Sequence, residues 1–219
     1  MITFDIETIS CQNPDVISEL SNSIRPPGNI KKEESIEKWM DENKDREIEK
    51  LIAKTSLSGM YGSVACIAWA HNDNKILATD ASETNESNVI KDFYNFVDFC
   101  GDASGIFCGH NIHGFDLLFL KHRSMILGIK PPKTLLKAMQ SRPWDGCIAD
   151  TMLMWSQDKD KRISLDKLCK ILGIKGKSDM DGSMVYKIWQ DNPGKVVDYC
   201  KDDVKMVREV YKKLTFSGA

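Results

Sequence analysis

An α/β fold is what this sequence predicts: a mixed five-stranded sheet, its first three strands antiparallel, with helices on both faces. Three observations lead there. Apolar residues alternate with period two at the start of the chain, which is the signature of a strand. Two further strand-like stretches follow one another across a short polar turn. Beyond them, short apolar runs alternate with segments of helical periodicity, as β-α units require. At 219 residues the chain is long enough to fill the core of one substantial domain.

The elements follow in order. Residues 2 to 7 read as the first strand. "GSVACIAWA" (Gly62 to Ala70) reads as the second, "NDNK" as a turn and "ILATD" as the third, together an antiparallel meander. Between the first two strands, at about 11–60, lies a polar segment containing "RPPGNIKKEESIEKWMDENKDREIEKLIAKT". Its Ile36, Met40, Ile48, Leu51 and Ile52 support one or two helices, so it reads as an insertion at the mouth of a site, with a mobile loop and surface helix as the plainer alternative. "SETNESN" is a capping stretch for the helix "VIKDFYNFVDFC". A strand "GIFCGH", an apolar helix from near His113 and a fifth strand "GCIAD" ending at Asp150 come next. "SLDKLCKILGI", "GSMVYKIW" and "PGKVVDYCKDDVKMVREVYKKL" give three closing helical segments, with Ser164 and Pro193 near the starts that capping rules choose.

Composition narrows the function classes. With 42% hydrophobic and 28% charged residues the chain is ordinary globular material, and no apolar run approaches the roughly 20 residues that span a bilayer. The opening "MITFD" lacks the basic and apolar regions of a secretory signal, so a soluble cytoplasmic protein without membrane partners is expected. The seven cysteines are widely spaced and include no Cys-x-x-Cys pair, which reads as reduced, buried thiols. Lysine plus arginine number 30 against 32 for aspartate plus glutamate, so no whole-protein field attracts nucleic acid and any such contact must be local. Basic residues occur between 25 and 54, in "DKDKR" and in "GIKGKS"; the plain reading of each is a solvated face.

Against this background the acids of "MITFDIETIS" stand out. Period two sends Asp5 and Glu7 to one face of a strand, side by side. With 21 aspartates and 11 glutamates, chance alone supplies roughly one Asp-x-Glu triplet in such a chain, so position carries the argument. A carboxylate pair on a strand face covered by helices costs several kcal/mol unless something positive is there, because burial and mutual repulsion both oppose ionisation. A divalent cation resolves the conflict. Asp116, in "GHNIHGFDLLFL", lies near the start of an otherwise apolar helix, where it serves equally as a charge complementing the helix macrodipole. Tyr199 and Asp203, in "DYCKDD", are four apart and share a helix face, a spacing that a surface tyrosine beside acids would also produce.

The joint order of these elements resembles a family. "FDIET", then "GHNIHGFD" with Asn111 and Phe115, then "IADTM", then "YCKDD" resemble the DEDD 3′-to-5′ exonucleases of the ribonuclease H-like superfamily in their tyrosine-containing branch. The similarity covers nearly all of the chain and looks closest to the proofreading exonuclease domain of family B DNA polymerases, here without its polymerase. It implies a single exonuclease domain over 1–219. It also implies that Asp5, Glu7, Asp116 and Asp203 hold two Mg²⁺ or Mn²⁺ ions, and the absence of any histidine and cysteine cluster with zinc spacing agrees. Phosphodiester hydrolysis at a single-stranded DNA 3′ end would release nucleoside 5′-monophosphates. The resemblance gives Tyr199 the orientation of the attacking water; a phenol, with a reference pKa near 10, is a poor base at neutral pH. It selects Asp203 over Asp202 as the last ligand, places Asn111 at the 3′-terminal nucleotide and Phe115 near its base, and sets Asp150 beside the site without making it a ligand. Phe115 reads equally as a core aromatic, and His110 and His113 as ordinary loop histidines. Thr8 is a candidate contact to the terminal sugar or phosphate; Lys175 and Lys177, with Arg25, Lys31 and Lys32 of the insertion, are candidates for the strand's backbone. Two alternatives stay open: the same fold acting on RNA, and a catalytically silent nucleic-acid-binding module.

Overall fold

The computed structural model describes residues 1–101, 105–157, 162–176 and 182–217. Strands β1 (Ile2–Ile9), β2 (Ser63–His71), β3 (Leu77–Asp80), β4 (Phe107–Gly109) and β5 (Ile148–Asp150) form one sheet in the order β3-β2-β1-β4-β5. β1 pairs antiparallel with β2, and β2 with β3, while β1–β4 and β4–β5 are parallel, as the sequence order leads one to expect. The α-helices among the described residues are α1 (Pro14–Asn22), α2 (Glu33–Thr55), α3 (Glu86–Cys100), α4 (Asp116–Leu127), α5 (Lys133–Gln140), α6 (Thr151–Ser156), α7 (Leu165–Ile171), α8 (Val185–Asp191) and α9 (Pro193–Leu214).

The central strand divides the molecule by its side-chain alternation. Ile2, Phe4 and Ile6 of β1 lie on one face, opposite Ile67 and Trp69 of β2. They are covered by Val89, Ile90, Phe93 and Val97 of α3 and by Leu117, Phe119 and Leu120 of α4. Aromatic rings fill this side: Phe4 and Phe93 have centroids 4.9 Å apart, and Trp69 and Phe93 5.5 Å. Such pairs add about 0.5–1.5 kcal/mol each beyond their area burial. The other face carries Thr3, Asp5 and Glu7, whose β2 neighbours are Ala70, Ala68 and Cys66. Because those neighbours are small, α9 packs close, with Val196, Val197, Cys200 and Val204 against the sheet.

Helix α9 has clear local causes. Asn192 caps it by accepting the Lys195 N–H at 3.3 Å, Pro193 occupies the first turn, and Lys212 and Lys213 complement the dipole at its end. Ser164 caps α7 and Asn85 caps α3 in the same way, as the capping signals predict. Helices α5 and α6 go beyond the sequence reading. At eight and six residues they show too few turns for a periodicity signal, and α6 exists because the Asp150 side chain caps it. Helix α4 starts at Asp116 rather than near His113, since residues 110 to 115 are held as a turn.

The segment between β1 and β2 forms the hairpin of α1 and α2. Nothing in α1 is buried, and only Thr55 is buried in α2. The arm is therefore anchored at its base, beside the end of β1. Cys11 N–H donates to Thr55 Oγ1 at 2.8 Å and Thr8 Oγ1 donates to the Ser56 carbonyl at 2.7 Å. Gly62 is required where the arm returns to the sheet, because a β-carbon there would lie 2.7 Å from the Thr55 carbonyl and 2.9 Å from that of Ile9. Among the described residues no helix is long and apolar enough to cross a membrane.

Candidate active site

Three of the acids converge from two elements. Asp5 and Glu7 reach from β1 and Asp203 from α9, with ligand oxygens all within 4.8 Å of one another. Asp5 and Glu7 are half-buried and Asp203 is buried. The pairing slips between Glu7 and Thr8, a bulge that increases local twist where β1 leaves the acidic cluster. Asp116, at the first turn of α4, comes from the far side of β1 and ties to it by accepting the Ile6 N–H at 3.2 Å.

Electrostatics explain what such a cluster needs. Burial pushes the Asp116 carboxyl up to about 8, and the charges of Asp150 and Asp203 push the same way against the pull of the Ile6 N–H and its own. Carboxylates this close resist joint ionisation unless a cation is among them. The donors are hard oxygens, which suit Mg²⁺ or Mn²⁺ and not a thiolate-seeking metal. Cys200 adds a feature that sequence reading missed. Its thiol donates to the Asp5 carbonyl at 3.3 Å and to Asp5 Oδ2 at 3.4 Å, and burial, then the neighbouring Cys66, raise its pKa far above the ordinary value, so it remains a donor. No local sequence signal marks it, because Cys200 meets Asp5 only where α9 crosses β1.

The remaining candidates divide. Tyr199 is buried one turn before Asp203 on the same side of α9. Asp202 is exposed, which separates it from its neighbour. Asn111 sits in a left-handed conformation, φ 61°, with its N–H donated to Asp150 Oδ1 at 3.0 Å. Phe115 packs against Phe119 with ring centroids 5.6 Å apart and planes tilted by 45°, and it also lines a cleft of about 110 Å³ with Leu57, Gly114 and Leu118. Thr8 is buried and spends its proton on the Ser56 carbonyl. Lys175 lines a groove of about 620 Å³ with Asp202, Lys205, Glu209 and Lys213, and none of Asp5, Glu7, Asp116 or Asp203 borders it. Lys177 lies outside the described residues. Arg25, Lys31 and Lys32 lie exposed in the connection between α1 and α2. The histidines are engaged by protein: His110 Nε2 meets the Ile163 carbonyl at 2.8 Å and His113 Nε2 the Ser141 carbonyl at 3.3 Å.

One buried ion pair braces the region from behind. Arg123 of α4 donates to both carboxylate oxygens of Glu86, at 2.8 and 2.7 Å, and its third nitrogen reaches the Gly59 carbonyl at 3.4 Å. Glu86 Oε1 also accepts the Val64 N–H at 2.8 Å, so α3, α4, the start of β2 and the base of the arm meet at one junction.

The structure is similar to that of the family B DNA polymerase from the hyperthermophilic archaeon Pyrobaculum calidifontis, at a TM-score of 0.59 and 18% identity over 98% of this chain. This chain spans 24% of that polymerase's length, and at that identity the likeness establishes the fold, which is ribonuclease H-like. No curated protein matches in sequence. Residues 57–217 match the family described as "Predicted 3'-5' exonuclease related to the exonuclease domain of PolB"; β1, with Asp5 and Glu7, and the α1–α2 arm precede the matched region. The chain belongs to that family of predicted 3′-5′ exonucleases related to the exonuclease domain of PolB.

Proposed function

We propose that this protein, as one exonuclease domain over 1–219 with α1 and α2 as its insertion, removes nucleotides from the 3′ end of single-stranded DNA and releases nucleoside 5′-monophosphates. The observation that carries the reading is the convergence of Asp5, Glu7 and Asp203 within 4.8 Å. Asp116 is the proposed fourth donor, and these carboxylate oxygens would suit two Mg²⁺ or Mn²⁺ ions. Bound there, such ions would supply positive charge to acidify a water and stabilise the leaving 3′ oxygen. Tyr199, one turn before Asp203, orients that water by a hydrogen bond. Asn111 and Phe115 engage the terminal nucleotide, stacking being tolerant of base identity. Thr8, Lys175 and Lys177 are the proposed contacts to the strand. A net charge of −2 suits an enzyme that grips a frayed end in a short groove rather than along a basic track. The choice of DNA rests on the family's relation to a polymerase's exonuclease domain. None of the seven cysteines, all among the described residues, forms a disulfide, in keeping with a reducing compartment such as the cytoplasm.

The test uses 5′-labelled DNA and RNA oligonucleotides with Mg²⁺ or Mn²⁺. A ladder of shortened DNA products that EDTA abolishes is the expected result. Shortening of RNA alone makes the protein an exoribonuclease; oligonucleotide binding with no product under either cation makes it a silent binding module.

A further inference from the structure

Asp150 ends β5 with 2% of its surface exposed, and its carboxylate receives four backbone N–H groups. Oδ1 accepts from Asn111 at 3.0 Å, Met152 at 3.1 Å and Leu153 at 3.4 Å, and Oδ2 accepts from His113 at 3.2 Å. The bonds from 152 and 153 are an ordinary helix N-cap for α6, which any short oxygen-bearing side chain supplies. The other two come from a turn almost forty residues earlier, brought alongside because β4 and β5 pair Gly109 with Asp150. Oδ1 thus serves the cap and the turn together, and Oδ2 adds the His113 bond that a side chain with a single oxygen would leave unmade.

That turn needs holding. Asn111 occupies a conformation, φ 61°, that L residues enter rarely and at a cost of order 1 kcal/mol or more. Its side chain folds back over Gly114, where a β-carbon would lie 2.5 Å from Asn111 Oδ1. The Asn111 carbonyl then accepts the Phe115 N–H at 2.9 Å, and α4 begins at the next residue. The direction of the Asn111 side chain and the placing of Phe115 therefore both run through the two oxygens of Asp150.

The geometry points to Asp150 as the positioning residue of the Asn111–Phe115 turn, acting through backbone N–H groups to present that turn to the 3′-terminal nucleotide and holding no metal ion. The inference rests on the exonuclease reading above. With four N–H groups on its two oxygens, this carboxylate is committed to the backbone, whereas Asp5, Glu7 and Asp203 face one another.

Asp150→Ser separates the two roles, since serine caps helices as well as aspartate does but is too short to hold the turn. Full kinetics of the wild-type chain and of this variant, with oligonucleotide and Mg²⁺ each titrated, should show KM for the oligonucleotide raised about tenfold, an unchanged Mg²⁺ dependence and a melting temperature close to wild type. Asp150→Asn can keep the Oδ1 bonds while turning its amide against the His113 N–H, so it should fall between the two. Gly114→Ala displaces the Asn111 side chain without touching Asp150 and should reproduce the KM effect. Should Asp150→Ser fail to fold, Asp150→Asn decides by the same readouts. Wild-type KM and kcat in a folded variant overturn the assignment, and so does a shift in Mg²⁺ dependence, which would make Asp150 a metal ligand. A wild-type chain that shortens no oligonucleotide sinks the exonuclease reading itself, and this inference with it.

Discussion

The two faces of β1 are made from alternate residues of one eight-residue strand, yet they differ in almost every physical respect. Ile2, Phe4 and Ile6 face a layer of aromatic rings and are at most 4% exposed. Thr3, Asp5 and Glu7 face alanines, a cysteine and α9, across a thinner layer into which acids are gathered. Large rings on one side supply the burial that lets the other side hold groups that repel one another. Stability and chemistry are thus separated by the thickness of one strand, and variants on the two faces should fail in different ways.

Asp203→Asn attacks the acidic face and should have the largest effect. Nuclease activity should fall by about a thousandfold or more, equivalent to about 4 kcal/mol in the barrier, while circular dichroism and melting stay near wild type. Removing one of several mutually repelling carboxyls costs the fold little. A folded variant with a tenth of wild-type activity would remove Asp203 from the proposed ligand set.

Phe93→Ala attacks the opposite face. It deletes a fully buried ring that touches both Phe4 and Trp69, and losses of about 3–4 kcal/mol in unfolding free energy are expected for such a cavity. Activity per folded molecule should stay within about twofold of wild type at temperatures well below the melting transition. Denaturant unfolding paired with the oligonucleotide assay reads both quantities. Equal damage to activity and stability would mean that the faces are not separable.

The same contrast explains what was legible in the sequence. Period-two alternation in "MITFDIET" sends Asp5 and Glu7 to one face because strand geometry leaves no other choice. Spacing alone stacks Tyr199 with Asp203, and capping chemistry locates the starts of α3, α7 and α9. What stayed hidden is what the tertiary structure decides. The six residues of α6 are helical because Asp150 caps them, and α4 starts late because the same aspartate holds the preceding turn through a strand pair formed across the chain. Cys200 meets Asp5 only because α9 crosses β1, and no local pattern encodes that crossing. The polar residues between β1 and β2 announce helices but not their anchoring, which depends on single bonds at Thr8 and Thr55.

Asp116, reaching β1 from the aromatic side, should also give the protein an unusual response to pH when no divalent cation is present. A carboxyl raised to about 8 in the folded chain keeps its proton there, whereas the unfolded chain releases it near pH 4. Between those values each rise in pH favours unfolding, so the Asp116 contribution to stability is fully present near pH 4 and is lost as pH approaches 8. In EDTA the melting temperature should therefore fall by at least about 3 °C from pH 5 to pH 8. Mg²⁺ should restore it at pH 8, and Asp116→Asn should flatten the profile, since an amide keeps the Ile6 bond without the titration. A wild-type profile in EDTA no steeper than that of Asp116→Asn would show that Asp116 is not under this strain.

The smallest expected effect tests the register of α9. Asp202 and Asp203 are adjacent in the chain, and a helix turns their side chains about 100° apart. Asp203 is carried into the acidic cluster, while Asp202 is exposed beside Lys205 and lines the lysine-bearing groove. Asp202→Asn removes one solvated charge. At the ionic strength of an ordinary assay the field of such a charge is screened within about 10 Å, so kcat and KM should each move by less than about twofold and stability by at most about 0.5 kcal/mol. A slight fall in KM is the expected direction, because a negative charge near a polyanionic substrate has been removed. If instead Asp202→Asn abolished activity and Asp203→Asn spared it, α9 would have to be turned by one residue. Tyr199 would then leave the site together with Asp203, and the contrast between the two faces of β1 would lose its chemical half.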